Sequence, residues 1–269
     1  MRHDAPVTRG TYLDRILDHH RERSRADGRT WSELAERCAD LPPARGFRAA
    51  LVAGDRLAVI SEVKRRSPSK GALAPHLDPA ELARSYVDGG AAALSVLTDA
   101  PHFGGSPEDL AAARGAVEVP VIRKDFTVGV NDVADARLMG ADAVLLIVAA
   151  LSDGELAELH GRAVELGLDV LVETHDEAEV GRALEHAGAE LIGVNQRDLV
   201  TFEVDQERAV RVAGVIPDGV VKVAESGVRG RPDAEALAAA GYHAVLVGEH
   251  LVTAPDRRAA VADLRVARR

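Results

Sequence analysis

Residues 141–174, ADAVLLIVAALSDGELAELHGRAVELGLDVLVET, contain the unit that decides the fold. Two mostly apolar runs, 143–147 and 169–173, flank the segment 152–166, in which apolar and charged residues alternate with helical spacing. Continuous apolar runs are typical of parallel strands buried on both faces. Gly167 follows the helical segment, where a C-cap glycine is expected. The stretch therefore predicts a strand, a helix and a second parallel strand in succession.

The same unit recurs along most of the chain. The strand candidates are 57–63, 92–97, 119–123, 143–147, 169–173, 191–194, 220–224 and 244–248. Helices predicted between them include 79–89, 131–139, 152–166, 176–187 and 231–240. Eight βα units favour a (βα)8 TIM barrel over an open doubly wound sheet. No GxGxxG motif follows the first strand, which weighs against a dinucleotide-binding open sheet. We therefore expect residues 1–269 to form one α/β barrel domain.

Residues 1–50 precede the first strand and predict an N-terminal helical extension. Segment 11–26 has the pattern of a charged amphipathic helix, and 30–40 predicts a second helix with Thr30 as its N-cap and Glu33 completing a capping box. Pro42 and Pro43 then end it. The extension could plug the bottom of the barrel or lie as a lid near the active site, and the sequence favours neither position.

Composition narrows the classes of function. The chain has 269 residues and a formal net charge of -10, which disfavours binding to nucleic acid or to anionic membranes. The longest apolar run, 143–151, is far shorter than the roughly 20 residues of a membrane helix. The single cysteine, Cys38, excludes an internal disulfide and a cysteine zinc site. Because residues 1–4 begin no secretory pattern, we expect a cytoplasmic protein.

Polar residues follow five of the eight strand candidates. They are Glu62 and Lys64, Lys124, Glu173, Asn195 and Arg197, and Glu225. The carboxyl ends of barrel strands converge on one mouth, where catalysis takes place. Each residue also has a structural interpretation, since Glu62 could simply pair with Lys64 and Glu173 could cap a helix. Together they predict an active site at this mouth.

Glycines follow the last two strands, in Glu225-Ser226-Gly227-Val228-Arg229-Gly230 and in Gly248-Glu249-His250. Loops after the seventh and eighth strands form the usual phosphate site of this fold. Lys64 or Arg197 could supply the cation that a phosphate needs in an acidic protein. The ten histidines show no zinc-binding helical spacing and no Walker A loop is present, so we expect neither a metal nor a cofactor.

These strand ends resemble the indole-3-glycerol-phosphate synthase family. The resemblance extends over residues 11–263 and includes the N-terminal extension. The matching segments are SEVKRRSPSKG (61–71), SVLTD (95–99), FGGS (103–106), RKDF (123–126), GADAVLLI (140–147), LVE (171–173), GVNQRDL (193–199), VAESG (223–227) and VGE (247–249).

The resemblance implies a reaction on 1-(2-carboxyphenylamino)-1-deoxyribulose 5-phosphate. Ring closure with loss of CO2, followed by dehydration, gives indole-3-glycerol phosphate without a cofactor. By similarity, Lys124 is the general acid for ring closure and Glu173 is the base for dehydration. Lys64 binds anionic groups or acts as a second acid, while Glu62 and Glu225 hold the lysines and the substrate hydroxyls.

The remaining expected site residues bind or position the substrate. The aromatic acid is positioned by Asn195, Arg197 and Ser67. The phosphate is bound by Ser226, Gly227, Gly248 and the Glu249 backbone. An apolar wall is formed by Phe103 and Phe126, and Leu199 also belongs to the substrate site.

Three positions depart from the family pattern. Asn131-Asp132 stands where a Tyr-Gln or Ser-Gln pair is usual. Asp or Asn still caps a helix well, so we expect a modest structural effect, although the added carboxylate near the third loop could alter turnover. His250 stands where a small residue is common, so it could help to bind phosphate or crowd it. Thr174 replaces a usually apolar neighbour of Glu173.

Several alternatives remain open at this point. The chain could be a second copy that serves an indole-derived natural product. Lys124 could instead form a Schiff base in a sugar-phosphate aldolase, or the barrel could bind a ligand without turnover. We expect a small phosphorylated substrate as the partner, no nucleic acid or membrane, and a monomer or weak homo-oligomer.

Overall fold

A computed structural model describes residues 10–67, 70–198, 201 and 203–268. Eight parallel strands close into a barrel in which each strand pairs with its neighbours in sequence. The strands are β1 (Ala58–Val63), β2 (Ala93–Leu97), β3 (Val121–Lys124), β4 (Ala143–Ile147), β5 (Asp169–Thr174), β6 (Leu191–Asn195), β7 (Val221–Glu225) and β8 (Ala244–Val247). The last strand pairs with the first, with Ala58 opposite Ala244. The predicted (βα)8 barrel is confirmed. The first and last residues of every strand lie within two residues of the predicted positions.

Helices surround the barrel and precede it. They are α1 (Tyr12–Ala26), α2 (Trp31–Ala39), α3 (Phe47–Val52), α4 (Pro79–Asp88), α5 (Ala100–Phe103), α6 (Pro107–Ala116), α7 (Val130–Leu138), α8 (Asp153–Glu165), α9 (Glu177–Ala187), α10 (Gln206–Ala213), α11 (Arg231–Ala239), α12 (Glu249–Val252) and α13 (Arg257–Leu264). A short 3-10 helix, Val148–Ala150, follows β4, and the pairs Arg66–Ser67 and Gly71–Ala72 form a small antiparallel hairpin after β1. Among the described residues, no helix is long and apolar enough to cross a membrane.

Strand residues are buried on both faces, as their uninterrupted apolar sequence predicts. All six residues of β1 and all five of β4 are buried. Side chains such as Ile60, Leu94 and Leu146 are fully enclosed. This rigid core holds the strand ends in fixed positions, so polar side chains placed there converge on one mouth.

The extension closes the bottom of the barrel with α3 and the segment before it. The backbone N–H of Arg45 donates to Oδ1 of Asp142 at 2.8 Å, and that of Arg48 donates to Oδ2 of Asp169 at 2.8 Å. Asp142 and Asp169 lie at the start of β4 and β5, so α3 sits at the amino ends of the strands. The interpretation of the extension as a plug therefore holds for α3.

Helix α1 lies at the opposite end, over the carboxyl ends of the strands. His20 Nε2 lies 2.8 Å from Oδ2 of Asp99, just after β2. Arg21 donates to the Ala150 carbonyl at 2.8 Å, after β4. Helix α2 connects the two ends along the side of the barrel, where Cys38 packs against Ala134 of α7. The extension thus occupies both of the positions that the sequence left open.

Two of the departures from the family pattern have structural explanations. Asp132 is buried and accepts from the backbone N–H groups of Val128 and Gly129, at 3.0 Å each, at the start of α7. It also pairs with Arg23 of α1 at 2.7 Å. Its carboxylate therefore stabilises the first turn of α7 and links that turn to α1 of the extension. The Thr174 hydroxyl donates to the Gly193 carbonyl at 2.9 Å and joins β5 to β6.

Candidate active site

A cavity of about 640 Å³ opens at the carboxyl ends of the strands. The predicted site residues that line it are Glu62, Lys64, Ser67, Phe103, Lys124, Phe126, Glu173, Asn195, Arg197, Glu225, Ser226, Gly227, Gly248 and Glu249. His250 lines it as well. Leu199 lies outside the described residues. The structure therefore brings together every predicted site residue that it describes.

Lys124 is at the centre of the cavity, between two buried carboxylates. Its Nζ lies 2.7 Å from Oε2 of Glu173 and 3.0 Å from Oε2 of Glu225. The side chain of Lys124 is 14% exposed, and each carboxylate is 2% exposed. Asn195 donates to the other oxygen of Glu173, Oε1, at 3.0 Å. Lys124 is therefore a cation held by its neighbours and does not lie free at the surface.

Burial would lower the pKa of Lys124, but the carboxylates of Glu173, Glu225 and Glu62 outweigh it and raise that pKa above its ordinary value. The two carboxyl groups beside it differ from each other. Burial opposes ionisation of Glu173, yet Lys124, the protonated form of His175 and the Asn195 amide lower its pKa. For Glu225, burial and the nearby Glu173 outweigh Lys124 and raise the pKa. Glu173 therefore ionises more readily than Glu225.

Two glycines make room for these carboxyl groups. A Cβ atom at Gly193, in the interior of β6, would collide with Oε1 of Glu225. One at Gly248, after β8, would collide with the carboxylate of Glu62 and lie 2.9 Å from Lys64 Nζ. Gly193 is a functional position that the sequence reasoning did not single out. Its signal was a glycine inside a strand, which often marks a close approach by another group.

Glu62 and Lys64 form a close ion pair at the end of β1. The Ser95 hydroxyl also donates to Oε2 of Glu62, at 3.5 Å. Both members of the pair line the cavity, and the Lys64 side chain is 18% exposed. The pair is therefore structural and also faces the space where a substrate would lie.

The glycine-rich loops after β7 and β8 line one end of the cavity. Ser226 has a φ of 65° and Gly227 a φ of 75°. A non-glycine residue in the left-handed region is uncommon and occurs often at binding sites. Gln196 fixes this turn by donating to the Ser226 carbonyl at 2.7 Å. Arg229 and Lys70 add two cations to the lining of the cavity, and the sequence reasoning assigned neither of them a role.

Aromatic side chains form a wall at another side of the cavity. The ring centroids of Phe103 and Phe126 lie 6.5 Å apart, and His20 of α1 contacts Phe126 at 5.4 Å. Leu97 and Ile147 extend the apolar lining. The cavity thus combines an apolar wall, a central lysine and a glycine-rich end.

His20, Asp99 and His102 form the group of potential metal ligands found among the described residues. His20 Nε2 and His102 Nδ1 lie 2.8 and 2.9 Å from Oδ2 of Asp99. These are hydrogen-bond distances, whereas ligands around a tetrahedral zinc ion lie roughly 3.3 Å apart for bonds near 2.0 Å. Asp99 also caps α5 by accepting from the His102 N–H. In this arrangement the cluster connects α1 to the rim of the barrel.

The fold and the cavity define a (βα)8-barrel enzyme whose charged residues suit a small anionic substrate. The sequence profile of the indole-3-glycerol phosphate synthase family matches residues 13–264. The chain belongs to this family.

Curated relatives agree with this family assignment, and a solved structure agrees with the fold. Indole-3-glycerol phosphate synthase 2 of Streptomyces coelicolor is 56% identical over 85% of this chain and 88% of the relative. Indole-3-glycerol phosphate synthase of Mycolicibacterium vanbaalenii is 52% identical over 94% of this chain and 93% of its own. A thiamine phosphate pyrophosphorylase from Pyrococcus furiosus, 18% identical, superposes with a TM-score of 0.58 over 81% of this chain and 95% of its own. The latter comparison supports the barrel fold alone.

Proposed function

We propose that this chain catalyses the decarboxylating ring closure and dehydration of 1-(2-carboxyphenylamino)-1-deoxyribulose 5-phosphate to indole-3-glycerol phosphate, a step of tryptophan biosynthesis. Membership of the family and the high identity to named synthases support the reaction. The observation that carries the assignment of residues is the position of Lys124, which is charged, nearly buried and placed between Glu173 and Glu225 in the cavity.

Lys124 is the general acid for ring closure in this proposal. The ring carbon that bears the carboxylate attacks the C2′ carbonyl, Lys124 protonates the carbonyl oxygen, and CO2 leaves. A general acid must be protonated when the substrate binds, and three carboxylates favour the ammonium form of Lys124. A Schiff-base aldolase needs the neutral amine of the same lysine. The charge balance of the site therefore favours acid catalysis over Schiff-base formation.

Glu173 is the base for dehydration, because its lowered pKa keeps it ionised and its carboxylate faces the cavity. Lys64 donates the proton with which the hydroxyl group leaves as water. Asn195 holds Oε1 of Glu173 in place. Glu62 and Glu225 hold Lys64 and Lys124 by ion pairs.

The ends of the cavity suit the two anionic groups of the substrate. The phosphate binds at the loops after β7 and β8, where left-handed backbone at Ser226 and Gly227 turns the chain sharply at the cavity wall. His250 lies on the same side of the cavity and supports phosphate binding. Ser67 and Arg197 position the carboxylate of the aromatic ring. The ring itself packs against the wall formed by Phe103 and Phe126.

The proposal also covers the organisation of the protein. Residues 1–269 act as one domain, since α1 and α3 are hydrogen-bonded to opposite ends of the barrel. The protein acts in the cytoplasm as a monomer or weak homo-oligomer, and its net charge of -10 disfavours nucleic acid or anionic membranes as partners. Light scattering behind size exclusion tests the oligomeric state, and a stable tetramer would contradict it.

The test of the reaction is product formation from the carboxyphenylamino-deoxyribulose phosphate, followed by indole fluorescence. The purified protein should turn over the substrate without added metal or cofactor, and Lys124→Ala should abolish most of the turnover. Borohydride trapping with a carbonyl substrate provides the control for the aldolase. A mass increase at Lys124 without indole formation would overturn the proposal.

A further inference from the structure

His175 follows β5 and reaches the active site from behind Glu173. Its Nε2 is buried and makes no hydrogen bond within the described part of the chain. That atom lies 3.7 Å from Oε1 of Glu173. On the other side of the ring, Nδ1 lies 3.0 Å from Oε2 of Glu179 in α9, and the same oxygen accepts from the His175 backbone N–H at 2.7 Å.

These contacts fix the tautomer of the neutral ring. A carboxylate can only accept, so Nδ1 carries the proton that is shared with Glu179. Nε2 is then the unprotonated nitrogen, with its lone pair towards Oε1 of Glu173. While Glu173 is ionised, no proton lies between its Oε1 and Nε2 of His175. Once Glu173 is protonated, Nε2 can accept that proton.

We propose that His175 is a positioning residue that takes from Glu173 the proton which dehydration transfers to that carboxylate. This inference rests on the proposed function. In the step, the substrate proton moves to Glu173 and the leaving hydroxyl departs as water with a proton from a lysine. Once Oε1 and Nε2 approach from 3.7 Å to hydrogen-bond distance, the proton moves from Oε1 to Nε2 of His175. The imidazolium form is stabilised by the carboxylate of Glu179 and releases a proton to water. The two lysines that donated protons in ring closure and dehydration regain them from water, so one turnover takes up one proton in total.

The position of the ring suits a path to solvent. The Glu173 side chain is 2% exposed, while those of His175 and Glu179 are 13% and 17% exposed. Oε2 of Glu173 is occupied by Lys124, which accepts no proton from it once it has regained from solvent the proton that it gave up in ring closure. Oε1 is thus the oxygen from which a proton can leave when Lys124 is an ammonium ion.

The surroundings of His175 predict a pH dependence. The charged groups around it are Glu173 on β5, Glu179 on α9 and Glu225 on β7, with Lys124 of β3 behind Glu173. Burial opposes its protonation, but the three carboxylates outweigh burial and raise the pKa of His175. Because only neutral His175 accepts a proton, kcat should fall as the pH decreases through that pKa.

The experiment is the pH profile of kcat for the full chain and three variants, with the carboxyphenylamino-deoxyribulose phosphate as substrate. His175→Gln should lower the plateau of kcat by about tenfold and remove the fall of kcat at low pH, which is the acid limb of the profile. KM should stay within about twofold, because the His175 ring lines no part of the cavity. Glu179→Gln keeps a hydrogen-bond acceptor and should move the acid limb to lower pH. The matched control is His186→Gln, which should leave the profile unchanged. His186 lies in α9, as Glu179 does, and its side chain is more exposed than that of His175.

Each outcome decides between the two proposals. Absence of product from the unmodified protein overturns the proposed function and this inference with it. Product formation with the same kcat and acid limb in His175→Gln overturns only the role of His175 and indicates direct transfer from Glu173 to Lys124. If His175→Gln does not fold, an unmoved acid limb in Glu179→Gln overturns the inference. Partial rescue of His175→Ala by free imidazole supports it, since a purely structural role would not be rescued.

Discussion

Replacing Lys124 by methionine removes the central charge of the site and keeps most of the length of the side chain. The change leaves Glu173 and Glu225, each 2% exposed, without the cation that lies 2.7 and 3.0 Å from them. Loss of a general acid typically lowers kcat by roughly 10²–10⁴, equivalent to about 3–5 kcal/mol of barrier. Removing one partner of a buried ion pair costs about 3–5 kcal/mol of stability. We therefore expect a large loss of turnover and a measurable loss of stability.

The stability loss should depend on pH in a defined direction. In Lys124→Met, burial is no longer offset, so the pKa of Glu173 rises above the roughly 4.3 of an unfolded glutamate, and that of Glu225, which is already raised, rises further. A carboxyl group whose folded pKa is raised costs stability as the pH increases through that range, because the folded state then binds more protons than the unfolded state. The variant should therefore be destabilised more at pH 8 than at pH 5.

Indole fluorescence gives the turnover, and urea unfolding at the two pH values gives the stability. Lys222→Met is the control, because Lys222 donates to the Ala213 carbonyl outside the cavity. A loss of kcat below fivefold would refute the role of Lys124 as the acid. Equal destabilisation at pH 5 and pH 8 would refute the electrostatic argument.

Three further predictions concern other parts of the site. Glu173→Gln should slow dehydration more than ring closure, so that single-turnover kinetics show an accumulating intermediate; an unchanged dehydration step would place the base elsewhere. Gly193→Ala should displace Glu225, lower kcat by about tenfold and cost about 1–3 kcal/mol of stability in urea; full activity would show that the Glu225 position is not critical. His20→Asn should cost about 1–3 kcal/mol and raise hydrogen exchange in α1, because Asp99 loses a buried partner; unchanged protection of α1 would contradict the role of this contact.

The barrel could be predicted from the sequence because its strands are buried on both faces. Runs such as 143–147 are uninterrupted apolar segments, and their regular alternation with helical segments indicates parallel strands. The site was predictable for a related reason. In a parallel barrel, the carboxyl ends of all strands converge on one mouth. Lys124 and Glu173 could therefore be expected to lie close together even though they are distant in the sequence.

The parts that the sequence did not predict depend on contacts between distant side chains. The extension contains no signal for its position, because the partners of Arg21 and Arg48 are set by tertiary packing. Gly193 has no property of its own that indicates Glu225 as its neighbour. For Asp132, the expected helix cap is present, but its pairing with Arg23 was unpredictable, because the sequence does not indicate that α1 packs against α7 at this point.

The pairing of Ala58 with Ala244 has a consequence for the order of folding. β1 acquires its second neighbour only after residues 244–247 have left the ribosome, so the barrel cannot close before then. Until then, Phe47 and Leu51, which are fully covered in the native protein, have no complete strand layer to pack on. Contacts between such distant residues form slowly, and the unfinished chain carries apolar surface throughout that interval. Closure of the barrel is therefore the step that finally covers the apolar surface of the unfinished chain.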